Sequence, residues 1–128
     1  QTAAKLLSLY LEKEDHCSPM MQAKIVEAWA QSESYALSIY HTASKMLAGG
    51  SIGSESSLGK IFWSELDHMM HQTALKILGA SAELSDSAEH DAAQWIKGFM
   101  FSYAGPIYAG TNEIQKNIIA ERLLGLPK

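Results

Sequence analysis

The sequence predicts an all-α fold, an antiparallel bundle of four to five helices. Proline is scarce, with only three residues, and the nine glycines collect at a few points. No stretch shows the β-branched alternation of a strand, and apolar residues recur at spacings of three and four along most of the chain. Helices of this length joined by short loops bury their apolar stripes by lying antiparallel.

Residues 2–13 read as a first helix with Ala3, Leu6, Leu7, Tyr10 and Leu11 on one face. No cap residue and spacer precede it, and the chain opens on Gln1. The expectation is therefore a single helical-bundle domain over 1–128 that forms the C-terminal part of a longer protein. Glu12 to Cys17 is a polar connection. Ser18 is a good N-cap with Pro19 at the first helical position, and a second helix runs to about Ala48, before Gly49-Gly50. Its repeat is Ile25, Val26, Trp29, Ala36, Leu37, Tyr40, Ala43 and Leu47.

A loop leads to a third helix over 55–78. Its stripe of Leu58, Ile61, Phe62, Met69, Met70, Thr73, Ile77 and Leu78 is the clearest in the chain, and Gly79 closes it. Lys60, Asp67, His71 and Lys76 lie off that stripe. Residues 80–87 are small and polar, a loop. Ser85 or Ser87 can open a fourth helix with Glu89 and Asp91 in its first turns. It carries Ala92, Trp95, Ile96, Phe99 and Tyr103 and is stopped by Gly105-Pro106. The last helix covers 112–124.

Composition narrows the function classes. The 47% hydrophobic content fits a packed domain, and the net charge of −4, with no basic patch, argues against a nucleic-acid partner. No run approaches the ~20 consecutive apolar residues needed to span a bilayer. Cys17 is the single cysteine and can form no internal disulfide, which points to a cytoplasmic protein. Glu14 and Asp15 beside it disfavour a thiolate. Met20, Met21, Met69 and Met70, and Trp29, Trp63 and Trp95, read as packing residues.

One spacing suggests a metal. Glu65 and His68 have the Glu-x-x-His separation of di-iron bundles, and His71 follows three residues later. A di-iron site needs a second such pair and two further glutamates, and the chain has no second pair. A metal is therefore not expected.

The tail is the most informative stretch. It reads Gly105-Pro-Ile-Tyr-Ala-Gly-Thr-Asn-Glu-Ile-Gln-Lys-Asn-Ile-Ile-Ala-Glu-Arg-Leu-Leu-Gly125. Gly110 allows a turn with positive φ, Thr111 is an N-cap, and Glu113 sits near the positive helix end. Ile114, Ile118, Ile119 and Leu123 share a face, and Gly125 ends the helix. A Gly-Thr pair opening a helix directs free backbone N–H groups at one spot, which suits a phosphate or pyrophosphate.

The wording Tyr108-Ala-Gly-Thr-Asn-Glu-Ile-Gln115, followed by Ile-Ile-Ala-Glu-Arg and Leu-Gly-Leu-Pro, strongly resembles the C-terminal signature of acyl-CoA dehydrogenases. Ser57-Leu-Gly-Lys-Ile-Phe-Trp-Ser-Glu-Leu66, ending in Ala74-Leu-Lys-Ile-Leu-Gly79, resembles that family's third bundle helix. The resemblance implies a flavin-dependent α,β-dehydrogenation of acyl-CoA thioesters. Tyr108 would border the acyl thioester. Gly110 and Thr111 would lie against FAD, Thr111 near its pyrophosphate, and Glu113 would make a further flavin-nucleotide contact. The family's catalytic glutamate has its place at Ala109, which carries no basic atom, so no catalytic residue is assigned.

Two further departures concern the flavin. The family's Arg-x-x-Phe-Gly stretch is replaced by the acidic Glu12-Lys-Glu-Asp-His-Cys17, and its Gly-Gly-x-Gly by Gly79-Ala-Ser-Ala82. The chain is similar in this to the degenerate subunits of actinobacterial heteromeric acyl-CoA dehydrogenases, some of which act on steroid-CoA thioesters. A non-catalytic structural or partner subunit is accordingly the alternative reading. The resemblance also implies a homo- or hetero-oligomer of acyl-CoA dehydrogenase subunits.

Overall fold

The computed structural model describes residues 2–83 and 90–127. Among them every regular element is helical: α1 (Thr2–Glu12), α2 (Pro19–Leu47), α3 (Glu55–Leu78), α4 (His90–Ser102) and α5 (Asn112–Ile118). A 3-10 turn, Glu14–His16, joins α1 to α2, another (Gly79–Glu83) follows α3, and a π turn (Ile119–Leu123) continues α5. Ser85, Ser87 and Glu89, the proposed start of the fourth helix, lie outside the described residues, as does the side chain of Asp91.

The third helix is the axis of the bundle and touches α1, α2, α4 and α5. Contacts along it give the directions. On one side Lys45 meets Glu55, the Tyr35 ring stacks on Phe62, and Ser32 reaches Met70, so α2 runs antiparallel to α3. On the other, Trp95 packs on His71, Phe99 on His68, and Gly105 on Ser64, so α4 runs antiparallel as well. The core gathers Leu6, Leu9 and Tyr10 of α1 and Ile25 and Ala28 of α2. Leu66, Met70, Ala74, Ile77 and Leu78 of α3 and Ala92 and Trp95 of α4 complete it.

Helix starts follow their caps. Ser18 Oγ accepts from Met21 N–H at 3.3 Å with Pro19 at the first turn. Thr111 Oγ1 accepts from Ile114 N–H at 3.3 Å. The ends differ more from expectation. The fourth helix stops at Ser102, three residues before Gly105, and residues 103–109 form consecutive turns. Ala104 N–H and Gly105 N–H bond three residues back, to Phe101 and Ser102, so the last turn tightens before Pro106, which has no N–H to offer. The last helix is α only to Ile118. It then widens, with Leu124 N–H bonding Ile119 O, and Gly125 at φ +68° ends it.

Several stripes are less buried than periodicity alone suggests. Val26, Trp29, Leu37, Tyr40 and Leu47 of α2 are exposed, as are Leu11, Met20, Leu58, Phe62, Tyr103, Ile114 and Leu123. Repeating spacing finds an apolar face but not its partner, and only the N-terminal half of α2 contributes fully buried apolar residues. Conversely, Asp67 and His71 are only about one-fifth and one-seventh exposed, and interact with each other along α3. No helix is long and apolar enough to cross a membrane among the described residues.

Candidate functional site: the turn before the last helix

The turn is built by two small residues meeting. Gly105 is buried against α3, and a Cβ placed there would approach Ser102 O at 3.1 Å and Ser64 Cβ at 3.3 Å. Glycine lets the chain cross α3 at that level, over Ser64, which is fully buried. The chain then turns through Ile107 and Tyr108, whose N–H groups both bond Ala104 O. The Tyr108 ring lies 6.1 Å from Trp63 and 6.4 Å from Phe101, centroid to centroid.

Two consecutive residues follow in the left-handed region: Ala109 at φ +55° and Gly110 at φ +88°. Glycine adopts this freely, whereas alanine is strained by about 1 kcal/mol or more. Gln115 Nε2 donates to Ala109 O at 2.9 Å and ties the turn to α5.

Asn112 anchors the assembly. It is buried, and its N–H donates to Pro106 O at 2.9 Å. Lys60 Nζ donates to Asn112 Oδ1 at 2.7 Å, Asn112 Nδ2 donates to Ser64 Oγ at 3.2 Å, and Ser64 O–H donates to Ile61 O at 3.0 Å. Each polar atom of the buried amide therefore has a partner. Sequence reasoning missed this network. Lys60 and Ser64 sit four apart on α3, the only hint available, and nothing in sequence connects them to a position some fifty residues away.

The helix start is less open than a Gly-Thr pair suggests. Asn112 N–H is taken by Pro106 O and Ile114 N–H by Thr111 Oγ1. Glu113 is exposed, and nearby donors, first its own backbone N–H and then the Thr111 hydroxyl, hold its carboxyl below the usual range, with smaller help from the Lys116 and Lys60 charges. Two of the three first-turn donors are thus committed, and the Glu113 N–H makes no other backbone bond among the described residues. Gly110 N–H and Thr111 N–H, one step earlier, make no hydrogen bond to a described group. An anion would meet the Gly110–Thr111 backbone and would compete with Glu113 for the Thr111 hydroxyl.

The Glu65–His68 pair is not brought together. Glu65 is exposed. His68 turns into the α3–α4 seam, with its ring centroid 4.5 Å from that of Tyr103 and 5.5 Å from that of Phe99. Ser102 gives its hydroxyl proton to Phe99 O at 2.6 Å, so its Oγ accepts from His68 Nδ1–H at 2.9 Å. Among the described residues no three His, Cys, Asp or Glu side chains converge on a possible metal position.

Among the described residues five helices, with this turn before the last of them, make an all-helical bundle. Residues 16–124 match the family model for the acyl-CoA dehydrogenase C-terminal domain, and the chain belongs to that family. It is similar to the acyl-CoA dehydrogenase IpdE1 of Mycolicibacterium smegmatis, with 30% identity over 113 residues, covering 86% of this chain and 26% of the relative. The IpdE1 of Mycobacterium tuberculosis is likewise 30% identical over 113 residues, covering 86% of this chain and 28% of the relative. The chain therefore spans about a quarter of the length of the curated relatives it matches. Among solved structures, a chain described as the FAD complex of PigA superposes with a TM-score of 0.77 at 23% identity, covering 97% of this chain and 33% of that one. That likeness is one of fold.

Proposed function

We propose that this chain is the C-terminal bundle of a longer, flavin-dependent acyl-CoA dehydrogenase subunit in which the usual base position is vacant. The observation that carries the reading is the turn itself: the family's signature, folded as a strained left-handed pair, with Ala109 where the carboxylate belongs.

The residues of the turn fit one part of a flavin site. Gly110 N–H and Thr111 N–H are uncommitted donors, and together with the Thr111 hydroxyl they suit the pyrophosphate of FAD. Glu113, exposed at the start of the last helix, would contact the nucleotide. Tyr108, exposed and braced by Trp63 and Phe101, would border the acyl thioester. FAD, when bound, supplies the acceptor for a hydride from the β-carbon of the acyl chain. Removal of the α-proton needs a carboxylate within hydrogen-bond reach, and Ala109 has none to give. In a catalytic subunit the base would come from elsewhere in the full protein, as from a preceding helix.

A second reading is favoured by the same residue. With Ala109 at the base position, and with the acidic stretch Glu12-Lys-Glu-Asp-His-Cys17 and the Gly79-Ala-Ser-Ala82 segment in place of the family's flavin-contact stretches, the chain also suits a non-catalytic partner in a hetero-oligomer. The experiment is to express the full-length protein with and without a second family subunit, then measure bound flavin and acyl-CoA oxidation for wild type and Ala109→Glu. Wild-type activity that Ala109→Glu slows supports a relocated base, because a second carboxylate would raise one pKa by like-charge repulsion. Activity that appears only with the partner supports the second reading. Brisk activity in Ala109→Glu alone, from an inactive parent, would contradict both.

A further inference from the structure

The proposed flavin contacts lie on a turn in which Ala109 is strained and Gly110 is free to adopt other conformations, so ties to the rest of the bundle help set its shape. Two long-range polar ties join α3 to the residue following the turn, from Lys60 and from Ser64 to Asn112, and the Lys60 tie is the charge-assisted one.

We infer that Lys60 is a positioning residue for the flavin-contacting turn, acting through the Asn112 amide. This rests on the reading that FAD meets the chain at Gly110 and Thr111. Asn112 immediately follows Thr111, and both of its side-chain ends are held by α3. Lys60 donates to its Oδ1 at 2.7 Å, and its Nδ2 donates to Ser64 Oγ at 3.2 Å. Fixing both ends leaves one orientation of the amide plane. Its N–H, bonded to Pro106 O, then closes the turn from the other side. Residues 107–111 are thus held between two fixed points, and the left-handed pair sits between them.

Lys60 is suited to the task. Its ammonium makes no direct ion pair among the described residues, and the Glu113 carboxylate feels its charge only weakly, so its closest polar partner is Asn112 Oδ1 at 2.7 Å. It is half-buried on the most tightly packed helix of the bundle, α3. A carboxylate at position 60 or a neutral aliphatic chain would leave Asn112 Oδ1 without this donor, and the amide could rotate.

The test uses the full-length apoprotein with Lys60→Met, Lys60→Gln, Lys60→Arg, Asn112→Ala and Gly110→Val, in two measurements. Hydrogen exchange of amides 107–115 reads the turn without flavin, and titration with FAD reads its use. Lys60→Met and Asn112→Ala should each speed exchange in that segment about tenfold, leave the buried α1–α3 amides unchanged, and weaken FAD binding about tenfold. Lys60→Arg should restore both values to within about threefold of wild type, a rescue that mere loss of packing would not show. Lys60→Gln, which keeps a donor, should fall between, and remains informative if Lys60→Met does not fold. Wild-type FAD affinity in both Lys60→Met and Lys60→Gln, with affinity lost in Gly110→Val, would overturn the positioning role alone. Wild-type affinity in Gly110→Val as well would overturn the flavin reading and the inference with it.

Discussion

Replacing Asn112 with alanine should loosen the last helix from the bundle by about 2–3 kcal/mol. The magnitude comes from the bonds removed. The contact from Lys60 at 2.7 Å is charge-assisted, worth about 1.5–3 kcal/mol, with the lower end fitting a half-exposed ammonium. The contact to Ser64 is neutral, worth about 1 kcal/mol. The backbone bond from residue 112 to Pro106 O survives the substitution. Native-state hydrogen exchange of α5 amides measures the opening free energy of this segment directly. Asn112→Asp is the control. Its carboxylate still accepts from Lys60, and Ser64 can turn its proton from Ile61 O toward it, so the loss should stay below about 1 kcal/mol. A double-mutant cycle between Lys60→Met and Asn112→Ala should give a coupling of about 1–2 kcal/mol. A loss under about 0.5 kcal/mol in Asn112→Ala, or no coupling in the cycle, would refute the anchor.

Ala109→Gly should stabilise the protein by about 0.5–1 kcal/mol in urea unfolding, because relief at φ +55° exceeds the added freedom of the unfolded chain; a destabilised variant would mean the left-handed geometry is wrong. Gly98→Ala should destabilise by about 1–2 kcal/mol despite alanine's better helix propensity, since an added Cβ would overlap the His71 ring held by Asp67 O at 2.8 Å and packed on Trp95; a raised melting temperature would contradict that packing. The depressed Glu113 pKa stabilises the folded protein above the ordinary value of 4.5, and this contribution fades as pH falls through the lower folded value. Glu113→Gln should therefore flatten the acid side of the stability profile, and an unchanged profile below about pH 4.5 would argue against these donors. The exposed Val26, Trp29, Leu37, Tyr40 and Leu47 on α2 favour association, so light scattering should find at least a dimer, and a strict monomer at high concentration would contradict it.

What the sequence made legible was whatever is local. The helix over 55–78 was readable to the residue because Gly79 ends it at φ +57°, and Ser18 and Thr111 cap as their side chains dictate. Burial along α2 was not, because a helix of 29 residues has one apolar stripe but a shorter partner surface. His68 reads as a metal ligand by spacing, yet its fate is set by Ser102 and Tyr103 on a helix that folds back antiparallel. The Gly110–Thr111 turn was readable as a turn and helix cap from its residues. Which N–H groups remain available was not, since Pro106, Thr111 and Glu113 compete for them through geometry that no periodicity encodes.

The central claim, that the turn at 108–113 is where this chain meets a flavin, is tested most directly by FAD titration of the full-length apoprotein carrying Gly110→Val. A β-branched residue cannot hold φ +88° without strain, and a Cβ there would crowd Gln115 Nε2 at 2.7 Å, the atom that ties Ala109 O to α5. The account predicts that FAD affinity falls by about tenfold or more while the rest of the bundle keeps its exchange protection, a difference of about 1.4 kcal/mol. Unchanged affinity in a folded Gly110→Val protein would contradict it.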